Sequence, residues 1–153
     1  MKDQFSVQYG EAAGDIPVPG DYDGDGATDV AIYRSSWGAW FVKDQFAIEY
    51  GGVAEDIPVP GDYNGDGITD IAVYCSSNGY WYVKDQFSVQ YGGTVGDIPV
   101  PGDYNGDGAT DITIYRSIWG AWLVKDQFAV MYGATIDFPL PAPNTNGDGA
   151  PYQ

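Results

Sequence analysis

The residues of this chain that could do chemistry are acidic and lie in a short motif that occurs three times. Side chains that carry oxygen occupy positions 1, 3, 5 and 9 of the motif, and glycines occupy positions 4 and 6. Calcium prefers six to eight hard oxygen ligands in a flexible cage. Because glycine permits the positive φ angles of a tightly curled loop, we expect positions 1, 3 and 5 to converge on one point.

The predicted ligands also include the backbone carbonyl of position 7, and the Asp at position 9 closes the cage. In the first copy the predicted ligands are Asp21, Asp23, Asp25, Ala27 and Asp29. In the other two full copies they are Asp62, Asn64, Asp66, Ile68 and Asp70, and Asp103, Asn105, Asp107, Ala109 and Asp111. An incomplete fourth copy offers Asn144, Asn146 and Asp148, with Tyr152 in place of the closing Asp. The sequence therefore predicts three Ca²⁺ sites and a weaker candidate for a fourth.

The motif has two other interpretations. An EF-hand needs a Glu at position 12 and flanking helices, but position 12 here is Ile32, Val73 or Ile114. A metal-free acidic turn is the second alternative. Three copies of converging carboxylates, which would repel one another without a cation, favour the metal.

The motif is part of a 41-residue repeat. The tetrad KDQF begins at Lys2, Lys43, Lys84 and Lys125, and DIPVPGDY recurs with the same spacing. We therefore predict a single array over residues 1–153. Its parts are an outer strand of an incomplete unit in 1–14, full repeats at 15–55, 56–96 and 97–136, and a degenerate partial repeat at 137–153.

Each full repeat is predicted to hold four short strands, with the acidic motif between the first and the second. In the first repeat, residues 16–19 carry two prolines and belong at a sheet edge, because proline cannot donate to a strand ladder. Residues 30–33 are apolar on both faces, which suits a strand packed on both sides. Residues 40–42 form the third strand, and the alternating residues 46–50 form the fourth. The same alternation places an outer strand at residues 5–9.

This pattern predicts an all-β fold. Four-stranded units of about 40 to 45 residues in a radial array are typical of β-propellers. A stacked β-solenoid is the alternative, although its coils are usually shorter than this repeat.

The composition excludes several classes of function. The chain has 22 acidic and 6 basic residues and a net charge of −16, which argues against nucleic acid and anionic membranes as partners. With no His and one Cys, it cannot form a Ser-His-Asp triad, a His-based zinc site or an intrachain disulfide. No apolar run is long enough for a membrane span. The first residues lack the apolar stretch of a signal peptide, so the chain either is not secreted by that route or is a mature or excerpted piece.

The motif D-x-[DN]-x-D-G-x-x-D between two strands, preceded by V-P-G-D-Y, resembles the FG-GAP/VCBS repeat family over the whole chain. The resemblance implies a calcium-binding β-propeller like integrin α-subunit heads and some lectins. It places the calcium ligands on Asp21, Asp23, Asp25 and Asp29 and on the matching positions of the next two copies. It also implies an extracellular or cell-surface location and a role in adhesion, carbohydrate binding or scaffolding without catalysis. Fewer than four units are too few for the family's usual ring.

Three functions are compatible with these features to different degrees. The first is a non-enzymatic, calcium-stabilised module that binds a glycan or a protein outside the cell. The second is a structural array that self-associates head to tail, because its terminal units leave edges open. The third, a metal-assisted enzyme such as a polysaccharide lyase, is disfavoured because all six basic residues occupy repeat-equivalent positions.

Two tryptophans are candidates for ligand contacts. Trp37 and Trp119 occupy equivalent turn tips, where the middle repeat has Asn78, so the fold does not require an indole there. They are either turn caps or platforms for a sugar face, beside which Asn78 could bind hydroxyl groups. The tryptophans that recur in every full repeat are predicted to be core residues, namely Trp40, Trp81 and Trp122.

Overall fold

The computed structural model describes residues 6–10, 14–52 and 56–132, and this part of the chain is all-β. Its twelve strands form three four-stranded antiparallel sheets, and these residues contain no helix. Each sheet comes from one 41-residue repeat. The predictions of an all-β fold and of four strands per repeat are therefore confirmed for the described residues.

The strand bounds are nearly the same in the three repeats. The first sheet consists of β1 (Asp15–Pro17), β2 (Ala31–Arg34), β3 (Ala39–Val42) and β4 (Phe46–Glu49). The second consists of β5 (Asp56–Pro58), β6 (Ala72–Cys75), β7 (Tyr80–Val83) and β8 (Phe87–Gln90). The third consists of β9 (Asp97–Pro99), β10 (Thr113–Arg116), β11 (Ala121–Val124) and β12 (Phe128–Met131).

Strands follow one another in each sheet in the order of the chain. In the first sheet β1 pairs with β2, β2 with β3, and β3 with β4, so β1 and β4 are the edges. Pro17 lies opposite Ile32 in the β1–β2 pair. The predicted edge position of the proline-bearing strand is confirmed, and it leaves no central strand short of an N–H donor.

The hydrophobic core lies between consecutive sheets. Tyr33 and Trp40 of the first sheet pack with Ile71 and Val73 of the second, and an equivalent cluster joins the second sheet to the third. Strand β6 is buried along its whole length, because one of its faces packs on the first sheet and the other packs on the third. The prediction that the second strand of a repeat is packed on both sides is confirmed for the middle repeat, whereas β10 of the third repeat is only half-buried at Tyr115 and Arg116.

A tyrosine–tryptophan pair anchors each sheet. Tyr33 lies opposite Trp40 with ring centroids 5.2 Å apart. The indole N–H of Trp40 donates to the backbone carbonyl of Tyr50 at 3.0 Å. Trp40 and Trp81 are fully buried, as predicted, but Trp122 is only partly buried. Within the described residues no fourth sheet packs against the face of Trp122.

The N-terminal segment differs from its prediction. Residues 6–10 are described and form no strand, although an outer strand was expected at 5–9. In each full repeat the fourth strand pairs with the third strand just before it in the chain, and no described strand precedes residues 6–10. A strand without a neighbouring ladder has no partner for its backbone groups. The predicted partial repeat at 137–153 and residues 1–5 lie outside the described residues.

No helix among the described residues combines the length and the apolar character that crossing a membrane would need.

The turn between β6 and β7 generates a prediction about stability. Gly79 has φ +75°, and a Cβ there would overlap the Gly92 carbonyl and come within 2.9 Å of the Gly93 Cα. Gly14 also has a positive φ, of +91°, but among the described residues its added Cβ would have only the Ser35 Oγ near it, at 3.5 Å. We expect Gly14→Ala to cost about 1 kcal/mol for the left-handed backbone alone. Gly79→Ala should cost at least about 1 kcal/mol more, because rigid backbone must also move. Urea unfolding of the two variants measures the difference, and equal losses would contradict it.

Candidate metal centre

The acidic loops connect the first and second strands of each repeat. The loop of the first repeat runs from Asp21 to Asp29 and is closed by a backbone hydrogen bond, in which the N–H of Asp29 donates to the carbonyl of Gly20 at 2.6 Å. The equivalent closures join Asp70 to Gly61 and Asp111 to Gly102, also at 2.6 Å. All three loops are therefore held between two strands of one sheet, which fixes where their first and last residues meet.

The carboxylate at position 1 organises each loop. Oδ1 of Asp21 accepts the N–H of Gly24 at 2.7 Å and that of Asp25 at 3.1 Å, while Oδ2 accepts the N–H of Gly26 at 2.8 Å. These three bonds curl the backbone around the carboxylate. The glycines at positions 4 and 6 have φ of +79° and +90°, as the prediction of a tightly curled loop required.

The same bonds stabilise the ionised form of this side chain. Desolvation works against ionisation of Asp21, but the N–H groups of Gly26, Gly24 and Asp25, together with a side-chain hydrogen bond to Asp23, outweigh it and hold its pKa below the ordinary value. In the third loop the N–H of Gly108 is the largest cause of the lowered pKa of Asp103. The position-1 carboxylate is therefore a charged group whose orientation is fixed by its own loop.

The three loops share one hydrogen-bond pattern. In each, the position-5 N–H also donates to the side chain at position 3, and the position-7 N–H donates to the Asp at position 5. The position-9 carboxylate accepts the N–H of the tyrosine at position 2. The exchange of Asp for Asn at position 3 leaves this pattern intact, since both side chains offer an oxygen.

Three of the four predicted carboxylates of the first loop come together. Carboxylate oxygens of Asp21, Asp23 and Asp29 all lie within 4.8 Å of one another. Two ligands on opposite sides of one calcium ion are about 4.6 to 5.2 Å apart, so this spacing fits a shared ion. Asp25 is outside this group, and its Oδ1 accepts the N–H of Ala27 at 2.9 Å. The predicted fourth loop with Asn144, Asn146 and Asp148 lies outside the described residues.

Crowding of negative charge contributes to a raised pKa of one aspartate in each of the first two loops. The N–H of Asp25 favours the ionised form of Asp23, but desolvation and the negative charges of Asp25 and Asp29 outweigh it and raise the pKa of Asp23. In the second loop desolvation is the main cause of the raised pKa of Asp70, and the charges of Asp66 and Asp62 add to it. A bound cation would relieve this repulsion.

Tyrosine at position 2 fastens each loop to the core, a role that the sequence analysis did not assign. The hydroxyl of Tyr22 donates to the carbonyl of Val18 at 2.6 Å, and its ring packs edge-on against Phe46. Tyr63 makes the same bond to Val59. Burial raises the pKa of both phenols, and the negative charge at position 9 of each loop adds to the effect. The recurrence of tyrosine at this position was the available sequence signal.

Threonine at position 8 is the second residue that the sequence analysis missed. Oγ1 of Thr69 accepts the N–H of Asp21 at 2.9 Å, and the N–H of Thr69 donates to the carbonyl of Asp21 at 2.8 Å. Thr110 makes the same pair of bonds to Asp62. Each threonine therefore holds position 1 of the preceding repeat's loop. A Cβ at Gly20 would lie 2.8 Å from the side chain of Thr69, which explains the glycine before the loop.

The predicted ligand-contact residues lie at exposed turn tips. Trp37 is 60% exposed and Trp119 is 53% exposed. The guanidinium carbon of Arg34 lies 4.7 Å from the centre of the Trp37 ring, and that of Arg116 lies 4.9 Å from the centre of the Trp119 ring. Both indoles therefore have a fixed orientation and an open surface, as a turn cap or a ligand platform would.

Each of these arginines is held by an aspartate. Arg34 donates from Nε and Nη2 to the two carboxylate oxygens of Asp15, at 2.8 and 3.0 Å. Arg116 pairs with Asp97 in the same way, and that bond raises the pKa of Arg116. Such two-point pairs fix the plane of the guanidinium group and with it the stacked indole.

The middle repeat has a different surface at this place. Cys75 stands where the other repeats have arginine, and it is 5% exposed with its Sγ 3.2 Å from Ser77 Oγ. Oδ1 of Asn78 accepts the N–H of Tyr80 at 2.9 Å, so this side chain caps its own turn. A cleft of about 380 Å³ lies beside Cys75 and is also lined by Tyr50, Asp56 and Tyr82.

Comparison of the chain with protein-family models, with curated proteins and with solved structures found no match.

The threonine contact between repeats leads to a prediction. Thr69→Val keeps the shape of the side chain but leaves the N–H of Asp21 without its acceptor at a partly buried position. The loss should destabilise the chain by about 1 to 3 kcal/mol. Thr28, the equivalent residue of the first repeat, is exposed, so Thr28→Val should change stability by less than about 0.5 kcal/mol in dilute protein. Thermal and urea unfolding test both variants, and equal effects would contradict the assigned contact.

Proposed function

We propose that this chain is a non-enzymatic, calcium-stabilised repeat module for binding a glycan or a protein outside the cell. The observation that supports it most strongly is the convergence of Asp21, Asp23 and Asp29 within a loop whose hydrogen-bond pattern occurs three times. The cation would sit among carboxylate and amide oxygens, which are the ligands that calcium prefers.

Calcium would act as a structural metal in this proposal. The loops lie on one edge of the sheets and close to one another, since a Cβ at Gly24 would come within 3.0 Å of Ile68 in the next loop. A cation in each loop would offset the repulsion both within and between loops. When bound only by the folded chain, it would stabilise that state by about 2.7 kcal/mol per site at a hundredfold excess over its Kd.

A β-propeller arrangement fits this role. Sheets of four antiparallel strands, packed face to face through tyrosine and tryptophan, are the building units of propellers. The resemblance to FG-GAP/VCBS repeats gives the same expectation and adds the extracellular or cell-surface location and the absence of catalysis. We propose these features together, with the ligand bound at exposed turns rather than in the acidic loops.

Removal of calcium is the first test. We expect EGTA to lower the melting temperature of calcium-loaded protein by more than roughly 10 °C, and magnesium should not restore it. A melting temperature that does not respond to EGTA or to added calcium would overturn the calcium proposal.

A pair of variants in the first loop makes this test specific. Asp29→Asn removes one charge from the converging cluster and keeps an oxygen for the N–H of Tyr22, so calcium should stabilise this variant less than the wild type. Asp23→Asn is the matched control, because the second and third loops already carry Asn64 and Asn105 at this position. It should keep most of the calcium effect. If calcium stabilised the two variants equally, the result would argue against a cation that is bound by the aspartate at position 9.

The exposed tryptophans give the prediction for ligand binding. An exposed indole buries a large apolar area on a sugar face and loses little entropy on binding. Double substitution Trp37→Ala and Trp119→Ala should abolish binding on a glycan array, where several weak sites act together. Ile118→Ser is the control, because Ile118 is also exposed and the first repeat has Ser36 at its position. Retained binding by the double variant would identify the indoles as turn caps only.

A further inference from the structure

Consecutive repeats of this chain are joined by one contact that occurs twice. Thr69 exchanges two hydrogen bonds with the backbone of Asp21, and Thr110 exchanges the same two with Asp62. The donor and acceptor distances are 2.7 to 2.9 Å in both copies. The interface is therefore directional: each repeat offers its position-1 backbone to the position-8 threonine of the next.

Apolar packing follows the same direction. The face of the first sheet that carries Tyr22, Tyr33 and Trp40 covers Ile71 and Val73 of the second sheet. The equivalent face of the second sheet covers Ile112 and Ile114 of the third. Ile71 and Ile112 occupy equivalent repeat positions, as do Val73 and Ile114, so the two interfaces are built alike.

The third repeat carries the first kind of face, and no described sheet covers it. We call Asp103, Tyr104, Tyr115 and Trp122 the C-terminal face. Tyr104 is 37% exposed, whereas its equivalents Tyr22 and Tyr63 are 7% and 8% exposed. The other three residues of the face are likewise more exposed than their equivalents in the first two repeats.

The first repeat carries the complementary face, and no other described repeat covers its loop end. We call Thr28 and Val30 the N-terminal face. Thr28 is exposed, whereas Thr69 and Thr110 are partly buried by the preceding loop. Val30 is partly exposed, whereas its equivalents Ile71 and Ile112 are buried.

We propose that the C-terminal face of one copy of this chain binds the N-terminal face of a second copy, with Thr28 of the second copy taking the place at Asp103 that Thr69 takes at Asp21. The contact reuses the loop end of an interface that the chain already forms twice, whereas Ile32, the equivalent of Val73, is already buried with Gly10 beside it. Because the two faces differ, association is head to tail and leads to a ring or a filament.

The second copy also completes the third acidic loop. Position 1 of the first and second loops is held by a threonine from the next repeat. No described residue holds Asp103 in this way, and Thr28 of another copy would supply that support. Its position-1 backbone would then be fixed as in the other loops. The link to calcium rests on the proposed function, whereas the interface rests on packing and hydrogen bonds alone. Each chain carries a net charge of −16, so bound cations would also reduce the repulsion between copies.

Sedimentation velocity of the 153-residue chain in calcium tests the proposal, with Thr28→Arg as the disrupting variant. The wild type should sediment above its monomer mass of 16.5 kDa, with a mass that rises with concentration. Thr28→Arg places a long charged side chain at an exposed position, and it should remain monomeric with the circular dichroism spectrum of the wild type. Thr28→Ser keeps the hydroxyl group and should associate like the wild type.

Two results would overturn the proposal. One is a wild-type chain that stays monomeric up to about 100 μM in calcium, which would place any dissociation constant above that of a specific interface. The other is Thr28→Arg that associates as strongly as the wild type. Calorimetric titration with calcium distinguishes a failure of the proposed interface from a failure of the proposed function. Calcium binding by a strictly monomeric chain contradicts only the interface, whereas Thr28-dependent association without calcium binding supports the interface and contradicts the calcium proposal.

Discussion

The aspartate at position 1 of each acidic loop is the group on which the loop's structure depends. Its carboxylate draws three backbone N–H groups of its own loop inward, as Asp21 does with Gly24, Asp25 and Gly26. Its backbone is held by the threonine of the next repeat in the first two loops. One residue therefore links the local curl of the loop, the packing of one sheet on the next and the convergence of carboxylates. The metal proposal and the assembly proposal both follow from this position.

Much of the fold is predictable from the sequence because it depends on local rules repeated every 41 residues. Two prolines placed β1 at a sheet edge, and the apolar pattern of β2 and β6 indicated a strand packed on both faces. These features are predictable because each depends only on the residues of one strand and on the strand or sheet beside it. The outer strand expected at residues 5–9 is not formed in the described residues 6–10, because a strand pattern predicts pairing only when a partner strand is available.

The sequence predicts the acidic side chains of the candidate site but not the residues of other parts of the chain that hold the loops in place. Alternating oxygen side chains and glycines predicted that Asp21, Asp23 and Asp25 converge and that Asp29 closes the cage. The structure brings Asp21, Asp23 and Asp29 together, whereas Asp25 lies outside this group and accepts the N–H of Ala27. The threonine of the next repeat was missed because its contact depends on how closely two sheets pack, which the repeat length does not give. Identical residues at positions 2 and 8 of all three loops were the only sequence signal for these roles.

The number of calcium ions held by the folded chain tests the central claim most directly. Native mass spectrometry of protein first freed of metal and then equilibrated with calcium gives this number for each chain. The account predicts at least three ions on the folded chain, retained in the presence of an equal concentration of magnesium. A folded chain that retains none, or that takes up no more calcium than the unfolded chain, would contradict it.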